Sequence, residues 1–281
     1  MIIDRSFAEE VVQPRPLKSH KGTFGRVLLV GGNPPYSGAV IMAACACVNS
    51  GAGLVSVATD QNTISALHSQ LPEAMAFTMA DKKQLQQELL RADVVLIGPG
   101  LGEDYLARCS LEKVLNGIGP QQTLIIDGSA LNLLAEKEDY KFLPQKLILT
   151  PHQKEWERLS GLAVEKQTPN ENRAALAHFP SQTVLVAKSH QTVIYGPDSQ
   201  VGELTVGGPY QATGGMGDTL AGMIAGFVAQ FSVSSFAAAA AAAYLHSAIA
   251  DQLSQTAYVV LPTRISQELP GAMKKLSMKN Y

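Results

Sequence analysis

The stretch "RVLLVGGNPPYSGAVIMAACACVNSGAGLVSVAT", Arg26 to Thr59, decides the fold. Its first run, "RVLLVGG" at 26–32, is nearly continuous in apolar residues, as a strand buried on both faces should be. Ser37 and Gly38 precede an apolar helical segment at 39–48, Gly51 and Gly53 follow it, and "LVSVAT" at 54–59 is a second strand-like run. The same alternation continues through "DVVLIG" at 93–98, "TLIID" at 123–127, "KLILT" at 146–150 and "TVLVA" at 183–187. The expected fold class is α/β, a mostly parallel central sheet covered by helices.

Elsewhere the pattern changes. Thr192–Tyr195 and Glu203–Val206 flank "GPDSQVG", whose turn residues predict a hairpin. From Asp218 onward the pattern is wholly helical, with Leu220, Met223, Ile224, Phe227, Val228 and Phe231 on one face. Ala221, Gly222, Ala225 and Gly226 lie between them and permit close helix packing. Ser129 is the expected cap of the helix in "ALNLLAEKE". With no repeat, long linker or abrupt composition shift, residues 1–281 read as one domain.

A chain of 281 residues, 46% hydrophobic and 16% charged, can bury a sizeable core. Its formal net charge of −2 favours neither nucleic acid nor an anionic membrane as partner. The basic end "MKKLSMKNY" from Met273 reads as a solvated tail. Cys45, Cys47 and Cys109 are too few for a disulfide framework or a four-cysteine zinc site and read as buried small hydrophobes. The N-terminus lacks the basic start and apolar stretch of a signal peptide, so the expected location is cytoplasmic. The run "FAAAAAAAYLHSAIA", 236–250, is too short to span a bilayer and reads as a helix packed internally or against another subunit.

Four motifs could carry chemistry. In "QATGGMGDTLAGMIAG", Gln211 to Gly226, glycines 214, 215 and 217 open a helix and are followed at once by Asp218. A helix N-terminus stripped of side chains presents unpaired amides to an anion, so Gly214 to Gly217 could hold a phosphate. A carboxylate cannot help to bind that anion, but it can take a proton from a hydroxyl about to attack phosphorus. The pairing suggests phosphoryl transfer to an alcohol; the plainer reading is a glycine turn with Asp218 complementing the helix dipole.

The second motif, "GPGLG" at 98–102, follows a strand, where open α/β sheets bind ligands, and it misses the dinucleotide fingerprint by one residue. No Gly-Lys-Ser/Thr phosphate loop occurs. In "TPHQKEWERLSG", Thr150 to Gly161, His152 follows a strand and Glu155 stands three residues on; His152 reads either as a substrate contact or as a helix cap. No metal-ligand spacing is present, so no protein-held metal is expected. In the fourth motif, Ser19 to Ala44, residues Tyr36 to Ala39 open a helix after a strand. Trp156 reads as packed.

Together these motifs resemble the nucleotide-dependent NAD(P)H-hydrate dehydratases, which have the ribokinase-like three-layer α/β/α fold. The resemblance runs through "HKGTFGRVLLVGG", "YSGAV", "GAGLVSVAT", "GPGLG", "ALNLL", "TPHQKEWERL" and "ATGGMGDTLAG" in family order. It implies repair of NADH or NADPH hydrated at C6 of the nicotinamide: a nucleotide phosphorylates the C6 hydroxyl, and phosphate then leaves. By similarity Asp218 is the base, the hydrate lies against Ala39, Gly102 and His152, and the adenylate lies near Gly215, Gly217 and Lys188, Ser189, His190, Gln191 and Thr192. The resemblance to the bacterial branch implies ADP rather than ATP as donor, with magnesium travelling on the nucleotide. It also implies a homotetramer working beside a separate epimerase. Donor charge is expected to raise the proton affinity of Asp218.

The chain departs from the family pattern twice. Asp127-Gly128-Ser129 stands where Asp-Ala-Asp is usual, and Lys188-Ser189 where Lys-Gly is usual. Three other readings remain: a hydroxymethylpyrimidine or hydroxyethylthiazole type of kinase, a nucleotide-binding regulator without turnover, and a dinucleotide-dependent oxidoreductase. The first shares the base; the second has no use for Asp218; the third lacks its fingerprint.

Overall fold

The computed structural model describes residues 1–137, 143–144 and 146–278. Among them, ten strands form one sheet: β1 (Ile2–Ile3), β2 (Arg26–Val30), β3 (Leu54–Thr59), β4 (Met75–Thr78), β5 (Val94–Ile97), β6 (Thr123–Ile126), β7 (Leu147–Leu149), β8 (Val184–Ala187), β9 (Val193–Tyr195) and β10 (Val201–Leu204). Their order is β1-β10-β9-β8-β7-β6-β5-β2-β3-β4. Only β9 runs against its neighbours. From β2 the chain first builds outward through β3 and β4, then returns to β5 on the other side of β2. That reversal makes the β2/β5 boundary the switch point, where strand-end loops diverge and leave a crevice.

The sheet alternates strictly between two apolar layers. Val27, Leu29, Val94, Leu96 and Ile125 pack with α1 (Arg5–Val11), α2 (Ser37–Asn49), α9 (Met216–Gln230), α10 (Ser235–Ser254) and α11 (Pro262–Ser277). Leu28, Val30, Val95, Ile97 and Leu124 pack with α4 (Lys82–Arg91), α5 (Tyr105–Gly117), α6 (Ser129–Ala135) and α7 (Gln153–Ser160). Helices α3 (Gln61–Gln70) and α8 (Pro169–Leu176) complete the set. The two-sided burial explains why the central strands read as unbroken apolar runs.

All six parallel-type runs and the α/β layering appear as the sequence predicts. The hairpin forms, but its second strand is Val201–Leu204 rather than 203–206, because the turn closes by a Gly196 N to Gln200 O bond at 3.0 Å. Ser129 is not a cap: Gly128 holds that position at φ +52°, and the Ser129 hydroxyl accepts from Gly102 N at 3.2 Å. The basic end is not a solvated tail as far as Ser277, since it continues α11 and Leu276 is buried; Lys279, Asn280 and Tyr281 lie outside the described residues. Cys47 is fully buried, whereas Cys45 and Cys109 are half-buried. The alanines 238–243 are buried within this chain. No described helix is long and apolar enough to cross a membrane.

Helix α9 is buried all round from Thr219 to Phe227, not on one face alone. It crosses α2 so closely that a Cβ on Gly222 would stand 2.1 Å from the Ala43 carbonyl oxygen, and one on Gly226 2.6 Å from Ser50 Cβ. This contact fixes where α9 begins. Gly222→Ala gains about 1 kcal/mol of helix propensity, but the obstacle is backbone, and overpacking of that kind costs roughly 1–3 kcal/mol or more. We expect a net loss of stability and a Tm lower by a few degrees in calorimetry; a Tm at or above wild type would contradict the close α2–α9 contact.

Candidate active site

The loops after β2 and β5 are laced together at the switch point. Gly32 N donates to Pro99 O at 3.0 Å, Asn33 N to Gly100 O at 2.8 Å, and the buried Asn33 side chain to Leu101 O at 2.7 Å. Gly100, at φ +60°, admits no side chain: its Cβ would meet Tyr36 O at 2.3 Å and Ala39 Cβ at 3.0 Å. Ala39, in the first turn of α2, and Gly102, at φ +77° with open space above it, therefore border the same crevice.

Three adjacent strands then end in polar side chains. Asp127 follows β6, and its Oδ1 accepts from Thr150 Oγ1 at 2.7 Å and from Lys188 Nζ at 2.9 Å. Thr150 follows β7, and Lys188 follows β8, tied by Lys188 N to Pro151 O at 2.9 Å. Asp127 is 3% exposed and Lys188 19% in their side chains, so water screens the pair little. Burial works against the Lys188 charge, yet Asp127, Glu155 and Asp218 outweigh it and hold its pKa above the usual lysine value.

His152 serves as both cap and site wall. Its Nδ1 accepts from Lys154 N and Glu155 N, both at 3.1 Å, while Glu155 returns the bond to His152 N at 2.7 Å. With Nδ1 an acceptor, the neutral ring carries its proton on Nε2. Burial, then Lys188 and Arg158, lowers its pKa and keeps it neutral. The side chain remains 52% exposed, available to a ligand. Trp156 is packed as read, buried and bonded through Nε1 to Asn172 Oδ1 at 2.9 Å.

Helix α9 begins at Gly215, in the left-handed region at φ +95°, with no side chain capping the helix. A Cβ there would meet the movable end of Met42 at 2.3 Å, but it is the left-handed backbone that calls for glycine. Asp218 in the first turn is half-buried, and its pKa is pushed up to about 6 by burial first and Asp127 second, against the pull of Lys188 and its own amide. The sequence assigned such a rise to donor charge. The protein supplies it without a donor.

Beside this helix end lies a cavity of about 570 Å³ lined by Lys188, Ser189, His190, Thr192 and Gly217, with Gln211 and His246. Gln191 lines instead a neighbouring cavity of about 210 Å³ that also includes His152 and Trp156, and Gly215 lines neither. Ser189 Oγ donates to Gln191 O at 2.5 Å and accepts from Gln191 N at 3.1 Å, so the extra side chain at this departure from Lys-Gly is tied into a local turn. Asp127, Thr150 and Glu155 join the site although no role for them is read from the sequence; an acid at the end of a parallel strand was the available signal for Asp127. His246, legible only as a polar residue within an alanine run, is 5% exposed and held neutral, its pKa lowered to about 4 by burial and then Lys188.

A cavity of small-ligand size that ends at an uncapped helix N-terminus, beside a carboxylate able to take a proton near neutrality, has the features that phosphoryl transfer to a hydroxyl requires. Comparison with known proteins narrows this class. A family model described as NAD(P)H-hydrate dehydratase matches residues 27–271. The ADP-dependent (S)-NAD(P)H-hydrate dehydratase of Streptococcus thermophilus is 58% identical over 99% of this chain and 100% of its own. A solved hypothetical protein from Streptococcus mutans superposes at a TM-score of 0.96 with 63% identity, covering 99% of this chain and 100% of that one. The ADP/ATP-dependent NAD(P)H-hydrate dehydratase of Bacillus subtilis, co-crystallised with ATP and Mg²⁺, superposes at 0.86 with 29% identity over 98% of both chains. The chain belongs to the NAD(P)H-hydrate dehydratase family.

The raised pKa of Asp218 has a stability consequence. A carboxyl whose folded pKa of about 6 exceeds its ordinary 3.8 favours the folded state most below the lower value, and that contribution is lost as pH rises through the upper one. Asp218→Asn removes the titration, so its Tm should exceed that of wild type at pH 7.5 and the difference should shrink as pH falls from about 6 towards 4. A variant equal to or less stable than wild type at pH 7.5 would contradict the burial of this charge.

Proposed function

We propose that this chain is an ADP-dependent dehydratase that returns (6S)-hydrated NADH and NADPH to NADH and NADPH. The observation that carries the reading is Asp218, a base poised near neutral pH at a bare helix end, in a chain that belongs to this family. The kinase reading shares the base but is the weaker, since the close relatives are named as dehydratases.

In the proposed reaction the hydrate lies against Ala39, Gly102 and the neutral His152, with its C6 hydroxyl at Asp218. Asp218 takes the hydroxyl proton as the oxygen attacks the terminal phosphorus of ADP, and AMP leaves. The amides of Gly215 to Gly217 stabilise the charge on the moving phosphoryl group. The ring nitrogen then expels phosphate from C6, and loss of a proton from C5 restores the dihydronicotinamide. The products are NADH or NADPH, AMP and inorganic phosphate. The adenylate occupies the cavity bordered by Lys188, Ser189, His190, Thr192 and Gly217, with Gln191 and Gly215 close by.

Magnesium belongs with the phosphates in this reading. Among the described residues no group of three or more His, Cys, Asp or Glu side chains could hold a metal ion, and magnesium characteristically binds phosphate oxygens while keeping several waters. It would neutralise charge on the donor. On the family resemblance the chain is one cytoplasmic ribokinase-like unit in a homotetramer, working beside a separate epimerase.

Mixing the protein with hydrated NADH, magnesium and either ADP or ATP, and following the return of dihydronicotinamide absorbance, tests the reading. Recovery with ADP is expected, with kcat/KM rising through about pH 6 as Asp218 ionises. Asp218→Asn should lower turnover by roughly 10²-fold to 10⁴-fold with nucleotide binding retained. Absence of recovery with both nucleotides, in protein that binds them, would overturn the dehydratase assignment in favour of a kinase acting on another alcohol.

A further inference from the structure

Lys188 is a buried cation shared by the acids of the site, and its position is set by a residue that the reaction above does not use. The ends of β6, β7 and β8 bring Asp127, Thr150 and Lys188 side by side. A single oxygen, Asp127 Oδ1, receives both the Thr150 hydroxyl at 2.7 Å and the Lys188 ammonium at 2.9 Å. A lysine has a long flexible stem, and a charge-assisted bond to a carboxylate that is itself buried and hydrogen-bonded removes that freedom. The ammonium it fixes stands 2.9 Å from where a Cβ on Gly217 would be. Glycine at 217 thus leaves room for that ammonium beside the first turn of α9.

We propose that Asp127 is a positioning residue of the reaction: its carboxylate holds the Lys188 ammonium over the first turn of α9, between Asp218 and the path of the transferring phosphoryl group. The role rests on the dehydratase reading, but the arrangement it depends on does not. Lys188 is faced by Asp127 from the end of β6, by Glu155 from α7 and by Asp218 from α9. His152, ahead of α7, is itself faced by Lys188, Asp127 and Arg158. Asp218 is faced by Asp127, which opposes its ionisation, and by Lys188, which favours it. The held ammonium keeps Asp218 able to ionise near neutral pH and then presents positive charge to the phosphoryl oxygens. The nearby carboxylate keeps Asp218 basic enough to accept a proton.

The two partners should therefore move Asp218 in opposite directions. Asp127→Asn removes a negative neighbour and frees Lys188 to turn towards Asp218, so the Asp218 pKa should fall below about 6. Lys188→Met leaves three acids without that cation, and the pKa should rise above it. Carboxyl-labelled aspartate NMR titration of the full chain without substrate, with the Asp218 signal assigned by its loss in Asp218→Asn, reads both. Shifts of about one pH unit in opposite directions are expected. In the repair assay the acid limb of kcat/KM should follow the same directions, and kcat of Asp127→Asn should fall about tenfold or more while KM for the hydrate changes little.

Should Asp127→Asn not fold, Lys188→Met carries the test alone through its upward shift. If wild type repairs no hydrate, the titration still reads the charge arrangement and only the dehydratase reading fails. If wild type is active but both folded variants titrate Asp218 where wild type does, Asp127 only supports the fold and the proposal is wrong.

Discussion

The site depends on a helix end that this protein leaves uncapped. Asp60, Asp81, Asp104, His152 and Ser234 cap α3, α4, α5, α7 and α10 through their side chains, satisfying amides that would otherwise lack partners. At α9 the capping position is Gly215, which offers nothing. As at α2, α6 and α11, the end carries no side-chain cap, and the cost of its free amides is offset by the burial of the rest of α9 among apolar neighbours, pressed against α2 at Gly222 and Gly226. The core thus supports an N-terminus that is electrostatically unfinished until an anion reaches it.

Charge around that end follows from the same constraint. Asp127, Glu155 and Asp218 share one ammonium, Lys188, in surroundings from which water is largely removed. Burial raises the pKa of Glu155 as well as that of Asp218, and perturbed acids of this kind cluster at functional sites. The His152 cap serves the same end. Bonding Nδ1 to the first amides of α7 fixes the tautomer, and burial, then the nearby cations, keeps the ring neutral.

Much of the fold was legible because buried parallel strands carry their signature in every residue. The runs at 26–32, 93–98 and 123–127 needed no context to be read. The two edge strands were not legible: β1 has two residues, one of them exposed, and β4 begins at an exposed methionine, so neither shows continuous apolar character. At the site, glycines and Asp218 stood out because they are adjacent in sequence. The Asp127–Lys188 pair spans sixty-one positions and exists only because β6, β7 and β8 are neighbours in the sheet. The burial that makes Asp218 basic comes from distant segments and leaves no local mark in the sequence, so the rise expected there rested on donor charge, a separate effect.

The central claim is that the C6 hydroxyl oxygen itself is phosphorylated and leaves as phosphate. Hydrated NADH carrying ¹⁸O in that hydroxyl, turned over with ADP in ordinary water, tests it most directly. The label should appear in inorganic phosphate, as mass spectrometry of the released phosphate would show. Unlabelled phosphate, with the heavy oxygen recovered in water, would mean that the hydroxyl leaves without ever bonding to phosphorus, and the role assigned to Asp218 and its bare helix end would be wrong.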